Sequence, residues 1–397
     1  MNRKRVVVAG LGDVGVLAAI RLSRHADVVG ISAKPALVSG QELGVRLSRP
    51  HDWARDYWIP FDRFRRLDGV RTVQATLTGV DLAARTVFGR GDDGAPVAEP
   101  YDALVICTGV SNGFWRRPTL QSAAEIGADL RDAHERLAAA GSVIVVGGGA
   151  AAVSSALNMA RTWQDKRIDL YFPGETALRG HHPRAWRRLH ARLTRLGVGV
   201  HPGHRAVLPE GFACDELTSR PVQWSTGQPP AAADAVLWAI GRVRPNTGWL
   251  PAELLDERGF VRVTPQLRVP GHPGVFAVGD VAATDPLRSS ARNRGDALVA
   301  RNVVAEFTGR PLRCFRAPRR RWGSLVGIQP DGLEVFLPSG HIVRFPSWSV
   351  QRVVMPLIVR WGMYGGVRRN DPLGRETATP PQRYDVGTQR VSPIRRR

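Results

Sequence analysis

Two glycine-rich segments, 137 residues apart, constrain the fold of this 397-residue chain more than any other feature. The first, GLGDVG from Gly10 to Gly15, follows the β-branched run Arg5–Ala9 and precedes a helical pattern. A strand, a G-x-G-x-x-G turn and a helix in this order are typical of a parallel α/β unit that binds a dinucleotide. The first glycine allows a tight turn, the second lets a pyrophosphate approach the backbone, and the third lets the helix pack on the strand. We therefore predict a dinucleotide site at Gly10, Gly12, Asp13 and Gly15.

The second strand of this unit, Asp27–Ile31, ends at Ser32. Many dinucleotide sites place an acidic residue there, about 20 positions after the glycine motif, where it binds a ribose hydroxyl. A serine can also hydrogen-bond ribose, and Lys34 is close enough along the chain to contact a phosphate. Ser32 and Lys34 are therefore further candidates for the first site.

The same unit recurs later in the chain. The apolar run Ser142–Val146 is followed by GGGAAA, from Gly147 to Ala152, and then by an alanine-rich helical segment to about Met159. Alanine in the last position is an accepted variant of the motif. This pattern predicts a second dinucleotide site at Gly147, Gly149 and Ala152.

The strand after the second motif, Arg167–Phe172, again ends without an acidic residue. Basic residues follow it that could receive the 2′-phosphate of NADP: Arg179, Arg184, Arg187 and Arg188. An arginine-rich chain also places some arginines there by chance, since only three of its 56 basic residues are lysine. The choice between NAD and NADP stays open.

Three more segments are strands that end in residues suited to a ligand. YDALVICTG ends in Thr108 and Gly109, AVLWAIG ends in Gly241, and GVFAVGD ends in Gly279 and Asp280. A helical pattern follows the last of these. The Asp280 carboxylate could accept a hydrogen bond from a ligand hydroxyl, or it could cap that helix.

Together the motifs GLGDVG, ICTG, VVGGGAAA, WAIGRVRPNT and GVFAVGD cover about residues 5–310. In this order and spacing they resemble the two-dinucleotide-binding-domain flavoproteins of the pyridine nucleotide-disulfide oxidoreductase superfamily. The resemblance implies FAD at the first site and NAD(P)H at the second. It assigns to FAD the residues Gly10, Gly12, Gly15, Thr108, Gly109, Gly279 and Asp280. It assigns to the nicotinamide nucleotide the residues Gly147, Gly149, Ala152 and Gly241.

We accordingly expect an α/β fold with two Rossmann-like dinucleotide-binding domains, the NAD(P) domain being inserted in the FAD domain. The FAD domain takes residues 1–115 and 245–310, and the NAD(P) domain takes residues 116–244. A small C-terminal α+β domain with a basic amphipathic helix follows at 311–369, and residues 370–397 are expected to be a disordered tail.

The cysteines separate the branches of this family. Cys107, Cys214 and Cys314 are far apart, and no cysteine pair follows the second strand, so a dithiol relay or a CxxC metal site is not expected. Electrons that reach the flavin as hydride must then leave directly to another acceptor. The resemblance offers a quinone, as in type II NADH dehydrogenases and ferroptosis-suppressor-like proteins, or an iron–sulfur protein, as in ferredoxin reductases. The segment CTGVSNGFW looks closest to the first group.

Two departures from the quinone-reducing pattern keep other interpretations open. Ser154 replaces a glutamate that such enzymes often carry near the nicotinamide, and it is our candidate for orienting that ring. The helix beside the quinone channel, here residues 289–294, lacks the usual glutamine. A flavoprotein that resembles apoptosis-inducing factor and acts as a binding module is therefore a further alternative. No metal site is predicted.

Positive charge is concentrated near the C-terminus. The chain carries 56 basic and 35 acidic residues, a net charge of +21, of which 17 arginines and 5 acidic residues in 310–397 supply +12. In this region Val350, Val353, Val354, Leu357, Ile358 and Trp361 recur at helical spacing. This helix either packs its apolar stripe on the domain or, with Trp348, lies on an anionic membrane through residues 347–369. We expect a cytoplasmic protein that can lie peripherally on the inner face of a membrane; nucleic acid is not a favoured partner, and a homodimer stays open.

Overall fold

The protein is organised around two sheets whose central strands are parallel. Each sheet contains a strand that leads into a glycine motif. The computed structural model describes residues 3–39, 42–111, 118–241 and 243–368. Part of the CTGVSNGFW segment and the tail expected to be disordered, residues 370–397, lie outside this description.

The first part of the chain builds most of the larger sheet. Its strands are β1 (Arg5–Ala9), β2 (Asp27–Ser32), β3 (Ala36–Val38), β4 (Trp58–Pro60), β5 (Val70–Asp81), β6 (Thr86–Gly91), β7 (Pro96–Pro100), β8 (Ala103–Ile106) and β9 (Val110–Ser111). Its helices are α1 (Asp13–Leu22), α2 (Leu43–Ser48) and α3 (Pro50–Tyr57), with 3₁₀ turns at Phe61–Arg63 and Arg65–Leu67.

The rest of the chain adds the second sheet and a small C-terminal sheet. The middle elements are α4 (Ala123–Ala139), β10 (Ser142–Val146), α5 (Ala150–Thr162), β11 (Arg167–Tyr171), α6 (Pro183–Arg195), β12 (Gly199–His201), β13 (Ala235–Trp238) and β14 (Arg244–Pro245). The last are a 3₁₀ turn (Ala252–Leu254), β15 (Val275–Ala277), α7 (Gly295–Phe307), β16 (Gly323–Ser324), β17 (Gly332–Phe336), β18 (Ile342–Pro346), α8 (Ser347–Ser349) and a helix at Val350–Met363.

The larger sheet has the strand order β15-β8-β1-β2-β5-β6-β7. Strands β15, β8, β1, β2 and the start of β5 are parallel, and β5 to β7 continue as an antiparallel meander. Val6, Val7 and Val8 of β1 have no exposed surface, as the β-branched run predicted for a strand buried on both faces. Because the parallel strands point the same way, the residues that follow them meet at one edge of the sheet.

The second sheet has the order β12-β11-β10-β13, with every pair parallel. Its four strands come between β9 and β15 in the chain, so the second sheet is formed from a segment that interrupts the larger one. The predicted strands Arg5–Ala9 and Ser142–Val146 are confirmed at their predicted bounds. The domain boundaries proposed from the sequence stay a prediction.

The C-terminal sheet is a three-stranded antiparallel unit, β16-β17-β18. The first of these strands, β16, ends at Ser324. Gly327 adopts a φ of 74° and donates its N–H to the Ser324 hydroxyl at 3.1 Å, which turns the chain out of the strand. Val326 is consequently buried in a core shared with the second sheet.

The helix at Val350–Met363 runs through Pro356 without a break and is wound as a π-helix. Its apolar stripe is packed on the fold only in part, so the structure combines features of both alternatives. Only Val350 and Val354 are buried, whereas Leu357 is 57% and Trp361 is 64% exposed.

Candidate functional site

The first glycine motif forms a backbone cradle at the end of β1. Gly10 has a φ of 99°, and a Cβ there would lie 2.6 Å from the Cys107 carbonyl oxygen. A Cβ on Gly15 would lie 1.8 Å from the Gly10 carbonyl oxygen, so only glycine lets α1 approach β1 this closely. A Cβ on Gly12, in contrast, would meet nothing within 4 Å. Gly12 precedes the first residue of α1 and no side chain caps that helix, so its first N–H groups face an open space suited to a phosphate.

That space is part of a cavity of about 750 Å³, within the range of ligand sites in proteins. Nine residues singled out in the sequence line it: Gly10, Gly12, Asp13, Ser32, Lys34, Thr108, Gly109, Gly279 and Asp280. They come from four separate places in the chain and meet because β1, β2, β8 and β15 are parallel neighbours. Gly15 does not line the cavity; it lies against Gly10 beneath it.

Lys34 reaches the cavity from the loop after β2. Its backbone N–H donates to the Ser32 hydroxyl at 3.1 Å, and its ammonium group donates to the Thr119 carbonyl at 2.6 Å and to the Gln121 side chain. Both partners are neutral oxygens, so the positive charge of Lys34 is not cancelled by them. The phosphate contact predicted for Lys34 stays a prediction.

Asn246 ties the end of β8 to the segment that returns from the second sheet. Its amide nitrogen donates to the Thr108 carbonyl at 2.9 Å, and the Thr108 hydroxyl donates to the Asn246 carbonyl at 2.8 Å. Its backbone N–H donates to the Gly109 carbonyl at 3.0 Å. Asn246 lines the cavity and was missed as a site residue, although it lies in the WAIGRVRPNT motif.

Arg46 of α2 is a second residue that the sequence did not single out. It is 1% exposed, yet it lines the cavity. Its guanidinium donates to the Ser39 carbonyl at 2.8 Å and lies 4.7 Å from the centre of the Trp53 ring. A buried arginine at a cavity wall presents a positive charge to a bound ligand. A single basic residue within an apolar helical segment was the signal available.

The alternative interpretation of Asp280 as a helix cap is wrong for the helix that follows. That helix, α7, begins at Gly295, and its N-cap residue is Arg294. Asp280 instead lies in the cavity wall after Gly279, whose N–H is held by the buried Ser290 hydroxyl at 3.0 Å.

The second glycine motif repeats this construction on β10. A Cβ on Gly147 would lie 2.1 Å from the Ala239 carbonyl oxygen, and one on Gly149 would meet nothing within 4 Å. Gly149 immediately precedes α5, again without a side-chain cap, and Ala152 in the third position is fully buried. Gly241 follows β13 with a φ of 72°, as Gly109 follows β8 with a φ of 66°. None of these four predicted nucleotide residues lines the 750 Å³ cavity.

The loop after β11 lies on the second motif. The Leu178 N–H donates to the Gly148 carbonyl at 2.7 Å. Arg179 extends across this loop, since a Cβ on Gly174 would lie 2.7 Å from its Nη2 atom. Arg188, another predicted phosphate ligand, is instead paired with Glu334 at 2.5 Å.

Ser154 is buried on α5 at 2% exposure. Its carbonyl and hydroxyl oxygens accept hydrogen bonds from Asn158 at 2.9 and 3.3 Å. A Cβ on Gly44 of α2 would lie 2.3 Å from the Ser154 carbonyl oxygen, so the two helices meet backbone to backbone. The predicted role of Ser154 toward the nicotinamide stays a prediction.

Two titratable groups near the first site have pKa values moved by burial. Burial raises the pKa of the Cys107 thiol far above its ordinary range, and the negative charge of Asp296 acts in the same direction. Cys107 is therefore a neutral buried thiol rather than a nucleophile. Burial also raises the pKa of Glu42 to about 7, against the opposing effects of Arg292 and the Ser324 hydroxyl.

The protein is similar to known proteins in sequence and in fold. Residues 4–302 match the family described as Pyridine nucleotide-disulphide oxidoreductase. The chain belongs to this family. It is accordingly an FAD-dependent NAD(P)H oxidoreductase, and FAD and NAD(P)H are its cofactors.

Individual relatives differ in what they reduce. The chain is 28% identical over 340 residues to Oxidoreductase ptaL of Pestalotiopsis fici. The aligned residues cover 83% of this chain and 84% of that protein. It is 32% identical over 133 residues to the type II NADH:quinone oxidoreductase Ndh of Mycobacterium tuberculosis, covering 31% of this chain and 27% of that one. The solved ferredoxin reductase for the CYP199A2 system of Rhodopseudomonas palustris has a similar fold, with a TM-score of 0.60, 20% identity, and coverage of 80% and 79%.

The described residues also bear on membrane spans and metal sites. None of their helices is both long and apolar enough to cross a membrane. They contain no group of three or more histidine, cysteine or acidic residues arranged to hold a metal ion.

Proposed function

We propose that this oxidoreductase holds FAD in the 750 Å³ cavity, takes hydride from a nicotinamide nucleotide bound at the second motif, and delivers the electrons to a quinone. The observation that carries the FAD assignment is the convergence of nine predicted residues on one cavity. Gly10, Gly12 and the start of α1 would hold the pyrophosphate, Ser32 the ribose, and Asp280 a ribityl hydroxyl. Within the family, we assign the chain to the branch of type II NADH dehydrogenases and ferroptosis-suppressor-like proteins.

The nicotinamide nucleotide is assigned to Gly147, Gly149, Ala152 and Gly241. The support is the repetition of the first cradle: both middle glycines are open above their backbone, and both precede an uncapped helix. When bound, FAD supplies the group that accepts hydride. The chain itself binds and orients the two cofactors, and orientation of reacting groups is a large source of rate enhancement.

The residues of the chain favour an external acceptor. Cys107 is buried and neutral, and Cys107, Cys214 and Cys314 lie far apart along the chain, which argues against an internal dithiol relay. We assign a quinone as that acceptor. Its supply from a membrane is supported by the helix at Val350–Met363.

This helix is attached to the fold through its first apolar residues, and its later apolar residues are exposed. Val350 and Val354 are buried, and Arg360 lies 3.6 Å from Asp56. Leu357, Ile358 and Trp361 are 57%, 53% and 64% exposed, and the preceding Trp348 is 61% exposed. Arg352 is exposed on the same helix. Exposed leucine, isoleucine and tryptophan beside arginine are typical of an interfacial helix, and each arginine near an anionic surface adds about 1 kcal/mol.

Anaerobic reduction tests the enzymatic proposal. The full-length protein is purified with its flavin, mixed with NADH or NADPH, and then given a water-soluble quinone or a ferredoxin. We expect bleaching of the flavin absorbance and its recovery on addition of quinone. Recovery with ferredoxin alone would replace the quinone by an iron–sulfur protein. Bleaching with recovery by neither would favour a binding module.

Vesicle co-sedimentation tests the membrane proposal separately. The doubly substituted variant Leu357→Ser/Trp361→Ser removes exposed apolar area and leaves Val350 and Val354 in place. We expect the unaltered protein to bind vesicles rich in phosphatidylserine and the variant to bind them at least fivefold more weakly. Equal binding of both proteins would exclude this helix as the membrane contact.

A further inference from the structure

Asn158 of α5 is a buried amide whose hydrogen-bonding capacity is fully used. It is 1% exposed. Its nitrogen donates to the carbonyls of Ser154 at 2.9 Å and Val326 at 3.1 Å. Its oxygen accepts from Arg49 at 3.1 Å and from the Gln329 side chain at 2.9 Å. A side-chain amide has two N–H donors and two acceptor lone pairs, so these four bonds satisfy it completely. The nitrogen also lies 3.3 Å from the Ser154 hydroxyl, which shares one of its N–H groups in a longer contact.

The partners of Asn158 come from three distant parts of the chain. Ser154 lies on the same helix, Arg49 directly follows α2, and Val326 and Gln329 belong to the loop after β16. The parts are also bonded to one another, since Arg49 donates to the Ile328 carbonyl at 3.1 Å. One amide therefore joins the helix of the second glycine motif to α2 and to the C-terminal segment.

The element on the other side of this junction faces the first site. Helix α2 carries Arg46, which lines the 750 Å³ cavity, and Gly44, whose Cα lies against the backbone of Ser154. Helix α5 begins directly after Gly149. The junction thus fixes the helix that starts at the nucleotide motif against the helix that forms a wall of the flavin cavity.

We infer that Asn158 is a positioning residue that sets the nicotinamide nucleotide in register with the flavin. The inference rests on the proposed function, in which the two motifs hold the two cofactors. Hydride transfer needs reacting atoms about 3–3.5 Å apart, and a displacement of 1 Å by a remote change can cost about 100-fold in rate. A hydrogen-bonded junction between the two sites supplies that accuracy, because its bonds hold only in one relative placement of α2 and α5.

The test compares Asn158→Ala with Ser155→Ala in the full-length, flavin-loaded protein. Ser155 is the matched control: it neighbours Ser154 on α5, it is fully buried, and its hydroxyl has no hydrogen-bond partner among the described residues. Three quantities are measured with NADPH and NADH: the rate of flavin reduction after rapid anaerobic mixing, the nucleotide Kd, and the long-wavelength absorbance of a stacked nicotinamide–flavin pair.

For Asn158→Ala we expect a 10- to 100-fold slower flavin reduction, a weaker stacking absorbance, a Kd within threefold of the unaltered protein, and unchanged flavin content. Ser155→Ala should match the unaltered protein in all of these. Gln329→Ala, which removes one of the four bonds from the far side, should slow reduction by a smaller factor. If Asn158→Ala does not retain its flavin, the rate of flavin reduction in Gln329→Ala becomes the test of the inference.

The inference would be overturned if Asn158→Ala and Gln329→Ala lowered the melting temperature but left the rate of flavin reduction and the stacking absorbance unchanged. Asn158 would then have only a structural role. That result is distinct from failure of the proposed function. If neither nucleotide reduces the flavin of the unaltered protein, the proposed function fails, and this inference fails with it.

Discussion

The two glycine motifs are built alike but have different surroundings. In both, the first glycine lies where a Cβ would meet a carbonyl oxygen of the neighbouring strand, at 2.6 Å for Gly10 and 2.1 Å for Gly147. In both, the middle glycine is open above its backbone. The first motif, however, forms part of the wall of a 750 Å³ cavity to which distant segments contribute, whereas Gly147 and Gly149 lie outside that cavity. In the proposed assignment, the same local backbone construction would therefore hold one ligand inside a shared cavity and the other outside it.

This contrast explains how one chain could keep one cofactor and exchange the other. In the proposed assignment, a flavin in the cavity would be held by residues that follow β1, β2, β8 and β15, and its release would break contacts with all of them. A nucleotide at the second motif would lie outside that cavity, at the start of α5. Variants that alter one motif at a time test this difference between the two sites.

The largest effect is expected at Gly15. In Gly15→Ala the new Cβ would lie 1.8 Å from the Gly10 carbonyl oxygen, so α1 must move away from β1. Overpacking that forces the backbone to shift typically costs about 1–3 kcal/mol. We expect loss of bound flavin and a lower melting temperature in the protein freed of flavin. Ala152→Gly, the reverse change at the third position of the second motif, is the comparison and should leave the flavin content unchanged. Normal flavin binding by Gly15→Ala would contradict the close-packing argument.

The next effect separates ligand binding from folding at the two middle glycines. Gly12 and Gly149 have φ values of −78° and −89°, which alanine adopts freely, and neither Cβ would meet an atom of the protein. Both alanine variants should keep the free energy of unfolding within about 0.5 kcal/mol. Gly12→Ala should bind FAD at least tenfold more weakly, since its methyl group occupies the path of the pyrophosphate. Gly149→Ala should retain FAD and raise the KM for the nucleotide. An exchange of these two phenotypes would reverse our assignment of the sites.

Much of this comparison could be predicted from the sequence, because glycine spacing after a β-branched run reports local backbone geometry. The cradle at Gly10 and the end of β2 at Ser32 both follow from such local patterns. Arg46 and Asn158 could not be found in this way. Their roles depend on which distant segments pack beside them, and a polar residue within an apolar helix does not reveal its partners. The exposed face of the Val350–Met363 helix was left open for the same reason, since periodicity identifies an apolar face but not what covers it.

A smaller effect concerns the choice of nucleotide at the second motif. Arg179 lies over Gly174 in the loop bonded to Gly148, and among the described residues it has no carboxylate within 4.0 Å. Asp169, the acidic residue of β11, is bonded to His201 at 2.8 Å. Hydrogen bonds to charged groups contribute about 1.5–3 kcal/mol, so Arg179→Ala should raise the KM for NADPH about tenfold or more.

The same substitution should change the KM for NADH less than twofold, because NADH lacks the 2′-phosphate. Arg195→Ala, at an exposed position in the last turn of α6 and outside the set of candidate phosphate ligands, is the control of equal charge change. Steady-state rates with both nucleotides measure the difference. Equal effects of Arg179→Ala on NADPH and NADH would show that Arg179 does not discriminate between them.

The last expected effect lies at Glu42, which directly precedes α2, and it depends on pH. Burial raises the pKa of Glu42 to about 7 from an ordinary 4.5, although Arg292 and the Ser324 hydroxyl favour the charged form; Tyr57 is also close enough to sense the Glu42 charge. The folded protein therefore binds this proton more tightly than the unfolded chain. The stabilisation is complete below pH 4.5 and is lost as the pH rises through 7. Glu42→Gln mimics the protonated side chain, so it should match the unaltered protein at pH 4.5 and be more stable at pH 8, by about 1–3 kcal/mol. Chemical denaturation at the two pH values measures this difference. If Glu42→Gln were less stable than the unaltered protein at pH 8, the attraction of Arg292 would outweigh the effect of burial on the pKa of Glu42. Glu42 would then be ionised at its place beside α2 and the C-terminal loop.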